Sequence, residues 1–582
     1  MRNEYPRPEL VRSNWLNLNG EWDFEFDFGN SGITIWDFYI ESNKLFRFEE
    51  MQKKQFSKKI NVPFCPESKL SGIEYKDFIN GCWYKKEVDI PDGWKGRVLL
   101  HFEAAYYETY VVVNGKVLGN HKGGYTPFTF DITDCIENGK AQILVHCSGD
   151  PRDRLQPSGK QSITYESHGC FYTRSTGIWQ TVWIENVPDT YLTAIKTDSD
   201  TDNKKLNAKL TFNALGDKKV TLKASFGGKP MGEVTAVTTM KEVYVQLPVR
   251  SLKLWDVKTP NLYDLTITVE SESGKDEITS YFGMRKIELD ETCLKLNGKK
   301  IMQRLVLDQG YYPDGIYTAP TDEDLKKDIL ISQRLGFNGA RLHQKVFERR
   351  FLYYCDKLGY IVWGEYPSWN FDHTTDRALQ YYLPEWLESV ERDYNHPAII
   401  GWCPTNENWK INKSDQCDAF IKQLYLETKR YDTYRPVIDV SWNYHVQTDI
   451  FDTHDYVQDT AEFRKRYGKW EDGKCFEQFN QKYDGQPYFL SEYGGIKWSL
   501  KDDGWGYGDG PKTVEEFVKR YNSFTKTLLS NPRMCALCYT QLYDVEQEQN
   551  GLYNYDRTPK FSEEIMDDFK KNMTKKAAIE KE

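Results

Sequence analysis

The sequence predicts two β-sandwiches followed by a (β/α)8 TIM barrel, and three observations carry that prediction. The chain has 582 residues, more than one hydrophobic core accommodates. Up to about residue 284, apolar and polar positions alternate between turn signals with little helical periodicity, the pattern of half-buried strands. From about residue 285, short apolar runs alternate with amphipathic helical stretches, which is how βα units read.

Residues 1–188 form the first domain. Tyr110-Val111-Val112-Val113-Asn114-Gly115-Lys116-Val117-Leu118 is a hairpin, because Asn-Gly supplies the two positive φ angles of a type I′ turn. Several such strands indicate a jelly-roll β-sandwich, and the basic patch at Lys53 to Lys59 reads as a solvated loop. Residues 189–284 are a second all-β segment with polar turns such as Leu215-Gly216-Asp217-Lys218. Its length of about 95 residues suits an immunoglobulin-like sandwich.

Residues 285–582 carry the barrel. Eight apolar runs read as its strands: 302–307, 339–342, 360–363, 399–402, 436–440, 450–453, 488–490 and 535–540. Helical stretches separate most of them, one beginning at Asp322 with Thr321 as its cap. The tail after Glu563 reads as a charged helix that frays. In such a barrel the carboxyl ends of the strands form the active-site face. Two carboxylates fall there: Glu407, after Ile399-Ile400-Gly401-Trp402, and Glu492, after Tyr488-Phe489-Leu490. A pair at one barrel mouth is what glycosidic bond cleavage needs, one as general acid and one as nucleophile or base.

The run from Asp393 to Glu407, DYNHPAIIGWCPTNE, resembles the acid/base signature of family 2 glycoside hydrolases, the family of β-galactosidases and β-glucuronidases. Asn14 to Trp22 and Arg174-Ser175-Thr176-Gly177-Ile178-Trp179 resemble that family's sugar-binding domain, and Pro260-Asn261-Leu262-Tyr263 its second domain. The resemblance covers nearly the whole chain. It implies a retaining, exo-acting glycosidase with Glu407 as acid/base and Glu492 as nucleophile.

Around that pair the strand ends offer further candidates. Arg341 would hold Glu492 anionic, and Asn406 would bind the sugar 2-hydroxyl, a contact that strengthens in the transition state. His343 could bond a sugar hydroxyl, although its interval from Arg341 is one residue shorter than in the family's motif. Tyr456 resembles the phenol that hydrogen-bonds the nucleophile, with His454 as its rival. Asp308 and Glu365 end strands one and three, and either contacts the sugar or supports the site. After strand eight, Tyr539-Thr540-Gln541 and Asp544 to Glu548 could supply an aromatic wall and polar contacts.

Other classes find less support. The net charge of −10 argues against a nucleic-acid partner. The twelve Cys have no framework spacing and read as reduced thiols, Cys535 and Cys538 included. The first residues lack the apolar core of a secretory signal and no run is long enough to span a membrane. The chain as given therefore reads as soluble and cytoplasmic, unless a leader was removed. No zinc or nucleotide motif is present. No cofactor is required, no metal-ligand set is tight enough to name, and a divalent cation or Na⁺ near Glu365 and His373 stays compatible with the chain. A homo-oligomer is equally compatible.

The sugar is read from an absence. The family's glucuronidases carry an Asn-x-Lys motif after the nucleophile. Beyond Glu492 this chain offers Lys497, Lys501 and Arg557 in no such pairing, and Asn480-Gln481-Lys482 lies before it. A neutral β-galactoside is the default substrate, with β-glucuronidase and arabinosidase or galactofuranosidase specificity as alternatives. A non-catalytic carbohydrate-binding protein is the rival from another class.

Overall fold

The computed structural model describes residues 2–30, 50–408, 416–442, 444–470, 474–478, 481–499 and 504–581. Asn480 and Lys501 lie outside the described residues. In the first sandwich a six-stranded sheet faces a four-stranded one, and Trp22, Phe24, Tyr84, Leu100, Phe102 and Val145 fill the space between them. The hairpin joins Glu108–Val113 to Lys116–Lys122, and Asn114 and Gly115 have φ of 46° and 77°. The lysines of the basic patch are exposed as expected, but its end is not loop: Lys58–Val62 is a strand paired with Gly20–Phe26, because Ile60 and Val62 alternate into the core.

The second sandwich packs a three-stranded sheet on a four-stranded one. Its strand Lys205–Phe212 alternates half-buried and buried positions along its whole length, as a strand with one solvated face must.

The barrel strands are β1 (Gln303–Asp308), β2 (Gly339–Leu342), β3 (Ile361–Glu365), β4 (Ile399–Cys403), β5 (Val440–Ser441), β6 (Phe451–Asp455), β7 (Tyr488–Gly494) and β8 (Met534–Thr540). Seven of them form one parallel sheet ordered β4-β3-β2-β1-β8-β7-β6, so β8 closes onto β1. The short β5 pairs instead with Thr405–Asn406, the extension of β4. It begins later than the apolar run suggests because the Asp439 carboxylate takes the backbone amides of Val440, Val446 and Gln447. No ladder joins β5 to β6 among the described residues. Side chains span that gap: Ser441 Oγ donates to Asp452 Oδ2 at 2.8 Å and the Trp442 amide to Asp452 Oδ1 at 3.1 Å.

The helix Asp322–Arg334 starts at a capping box between Thr321 and Asp324, satisfying donors the first turn leaves open. The tail does not fray as expected. Its helix Glu563–Met573 buries Met566, Phe569 and Met573, and Glu580 beyond it pairs with Arg304 at 2.8 Å. An apolar stripe underlies its charged composition.

The first sandwich docks on the barrel mouth. Glu385 accepts the amides of Tyr125 at 2.6 Å and Thr126 at 3.2 Å, and Asn370 Nδ2 donates to the carbonyls of Gly159 and Gln161 at 3.2 and 3.1 Å. Gly159 allows that approach. Its φ is +57° and a Cβ there would lie 2.7 Å from the Gln344 carbonyl, so an L side chain fits neither the backbone nor the space.

Candidate active site

Strand ends bring the two carboxylates together. Glu407 follows Thr405–Asn406 in a left-handed conformation, φ 52°, with its amide bonded to the Ser441 carbonyl at 2.9 Å. Glu492 lies within β7, and Glu407, Glu492 and His454 each place one polar atom within 4.8 Å of the others.

The two acids have different surroundings. Burial pushes the Glu407 carboxyl up to about 7, with Lys160 and Arg341 opposing and Glu548 adding to the rise. Glu492 has charged and donor partners: Arg341 Nη1 donates to its Oε1 at 3.2 Å, and Tyr456 Oη donates to its Oε2. One carboxyl is therefore kept protonated near neutrality, while the other accepts hydrogen bonds from a guanidinium and a phenol.

Arg341 is the hub. It is 1% exposed and reaches Glu365 at 2.5 Å, the Ser491 carbonyl at 2.9 Å and Asn406 Oδ1 at 2.9 Å as well as Glu492. The Asn406 contact fixes its amide with the oxygen toward Arg341, leaving buried Nδ2 without a partner among the described residues. Such a donor needs one, and a sugar hydroxyl would satisfy it.

His454 bridges the two acids, with Nδ1 2.7 Å from Glu407 Oε1 and 3.4 Å from Glu492 Oε2. Burial lowers its pKa to about 4, so the ring is neutral. We assign its proton to Nδ1, which leaves Nε2 to accept from Arg341 Nη1 at 3.4 Å. His343 is likewise held neutral by burial; its Nδ1 bonds Glu365 at 3.1 Å and its Nε2 stands 3.9 Å from Glu492.

Two of the residues read from the sequence sit elsewhere. Tyr539 points outward from β8 and packs on Tyr493 and Tyr521. Thr540, the next residue, turns inward to Tyr456 Oη at 3.2 Å, since successive strand side chains face opposite ways. Asp308 accepts from the Gly310 amide at 3.0 Å and from Tyr543, so it ties down the first βα loop. Burial raises its pKa to about 6. Lys497 packs against Gly506 and Gly510, and Arg557 pairs with Asp328 at 2.9 Å.

A cavity of about 710 Å³ opens beside Glu407, His454 and Tyr456. Trp369, Trp442, Trp505 and Tyr507 give it aromatic walls, and Arg154, Cys170 and Phe171 come from the first sandwich. Sequence reasoning missed these walls because they sit on loops, where no periodicity marks which face a side chain presents. Glu407, His454 and Glu492 form the one metal-like cluster among the described residues. Its histidine nitrogen already faces two carboxylates at hydrogen-bonding distance, and Glu365 spends both oxygens on Arg341 and His343.

Comparison with known proteins agrees with this architecture. Residues 16–188 match the model "Glycosyl hydrolases family 2, sugar binding domain", 187–285 "Glycosyl hydrolases family 2", and 287–501 "Glycosyl hydrolases family 2, TIM barrel domain". The chain is 28% identical over 443 residues to a β-galactosidase of Thermoanaerobacterium thermosulfurigenes, covering 73% of this chain and 58% of that protein. It is 24% identical over 461 residues to a β-glucuronidase of Rattus norvegicus, covering 73% and 68%. The chain thus spans little more than half the length of the first of these relatives. A β-D-glucuronidase structure from Dictyoglomus thermophilum superposes with a TM-score of 0.77 at 20% identity, covering 98% of both chains. A GH2 β-galacturonidase from Eisenbergiella tayi superposes at 0.73 and 19%, covering 97% and 98%. The shared fold runs the length of the chain, and all three models that match it are of one family: the chain belongs to family 2 of the glycosyl hydrolases.

Proposed function

We propose that the protein is a retaining, exo-acting glycosidase that removes terminal β-linked sugars by double displacement. Glu492 attacks the anomeric carbon while Glu407 gives its proton to the departing oxygen; Glu407, now ionised, then takes a proton from the water that releases the sugar. Asn406 Nδ2 would hold the 2-hydroxyl, and the aromatic walls would take the sugar faces and the leaving group. The observation that carries this reading is the close approach of two carboxyl groups with opposite environments, within 4.8 Å at their nearest facing atoms. Retaining enzymes hold the pair about 5–5.5 Å apart, and inverting ones at roughly 6.5 Å or more to admit a water. The names of the relatives, β-galactosidase and β-glucuronidase, support a terminal β-glycoside as substrate. The test is a panel of nitrophenyl β-glycosides followed by NMR of the first-formed anomer. A β-anomer product, with turnover lost in Glu492→Ala, is expected; first release of the α-anomer would refute double displacement.

A further inference from the structure

One buried cation in this site has aromatic neighbours but no carboxylate partner among the described residues. Lys160, supplied by the first sandwich, is 5% exposed, and its Nζ lies 5.0 Å from the Trp369 ring centre and 5.6 Å from that of Tyr172. Among the described residues no carboxylate lies within ion-pair distance of it. Its charge is felt at Glu407 on one side, against the larger effect of burial, and at His343 on the other, where it adds to burial. Trp369, whose ring the ammonium overlies, also lines the cavity beside Glu407, so the ammonium stands at the wall of that cavity.

A buried anion completes the picture. Glu548 is 1% exposed and accepts from Tyr172 Oη and, at 3.1 Å, from Asn550 Nδ2. A carboxylate has about four acceptor positions, so half receive no donor from the described residues. Tyr172 stands between the charges, its ring beneath the ammonium and its hydroxyl on the carboxylate. Burying separated charges is costly unless each finds a partner, and a diol supplies both: one oxygen accepts from Lys160 and a neighbouring hydroxyl donates to Glu548.

We propose that Lys160 and Glu548 act as a specificity pair that grips two neighbouring hydroxyls of a neutral sugar, an assignment that rests on the glycosidase reading of this site. A uronic acid would satisfy Lys160 but set its own carboxylate beside Glu548, so the pair selects against acidic sugars although a cation is present.

The test compares kcat/KM for nitrophenyl β-galactoside, β-glucoside and β-glucuronide on wild type, Lys160→Met and Glu548→Gln. Calorimetric binding of galactose, glucose and glucuronate to the same proteins provides a readout independent of turnover, and thermal melting checks folding. Lys160→Arg, which keeps the charge, serves as a second variant should Lys160→Met melt early. Wild type should prefer the neutral sugars, Lys160→Met should lose at least about tenfold on them in kcat/KM and in binding, and Lys160→Arg should recover part of that loss. Glu548→Gln should raise the glucuronide-to-galactoside ratio by removing the repulsion, a shift that a purely structural carboxylate would not produce. Preferred glucuronate binding that disappears in Lys160→Met would overturn the pair and make Lys160 a carboxylate anchor. Unchanged binding of neutral sugars in a folded Lys160→Met would also overturn it, leaving the glycosidase reading intact. Wild-type sugar binding without cleavage of any glycoside would instead strike the catalytic reading alone.

Discussion

At the residue scale the two acids should separate kinetically. Glu407→Ala removes the proton donor, so glycosides with poor leaving groups should slow by about 10²-fold or more, while activated dinitrophenyl glycosides keep most of their first-step rate. Equal losses on both leaving groups would contradict the role of Glu407. The pH profile follows from the same group. Glu407 must enter the reaction protonated, so kcat/KM should fall as pH rises through about 7. The stability consequence has a definite sign. The folded-state pKa lies above the unfolded one, so the contribution of Glu407 is fully present below about 4.5 and is lost as pH rises through about 7. Glu407→Gln has no proton to lose there. Its stability relative to wild type should grow from pH 4.5 to pH 7.5 by up to about 3 kcal/mol, measured as unfolding free energy at both values.

At the scale of elements, the loop from residue 150 to 176 matters as much as any barrel strand, because it carries the sandwich into the active site. Gly159 lets it dock against Gln344 and Pro367, and Lys160 follows immediately. Gly159→Ala should cost about 1–3 kcal/mol through backbone strain and crowding. It should also lower kcat/KM by about tenfold or more by displacing Lys160; a variant that melts and turns over like wild type would contradict this coupling. The gap between β5 and β6 has its own fastening. His445 lies between Asp439 at 2.8 Å and Asp452 at 3.1 Å, and these bonds outweigh burial to raise its pKa to about 10. Asp452 in turn binds Ser441, whose carbonyl takes the Glu407 amide, and Ser491, which precedes Glu492 on β7. A charged buried cluster there does what a backbone ladder does elsewhere in the barrel.

Across the whole molecule the three domains are held as one. Arg12, near the N-terminus, pairs with Glu185 of the first sandwich at 3.1 Å and Asp276 of the second at 2.7 Å, while Trp255 Nε1 ties the second sandwich to the Asp356 carbonyl of the barrel at 2.8 Å. No helix among the described residues is long and apolar enough to cross a membrane. The fold class was legible in the sequence, and so were the residues that the structure gathers at the candidate site, because both rest on short-range pattern. Strand period distinguishes sandwich from barrel, and Asn406, Glu407, Glu492, Arg341 and Tyr456 sit at or just past the ends of apolar runs, where a barrel strand opens onto its mouth. Only the tertiary structure decided which residues of distant segments meet there. Lys160 is 247 residues from Glu407 by numbering (407 less 160), and nothing local to the run Pro157-Ser158-Gly159-Lys160 says that it crosses to another domain. Tyr539 failed for a related reason. Strand parity sets which of two neighbours faces inward, and irregular register between β7 and β8 hides that parity from the sequence. Local backbone preferences act over a few residues, whereas the pairing of buried charges and aromatic faces is settled only when whole surfaces come into contact.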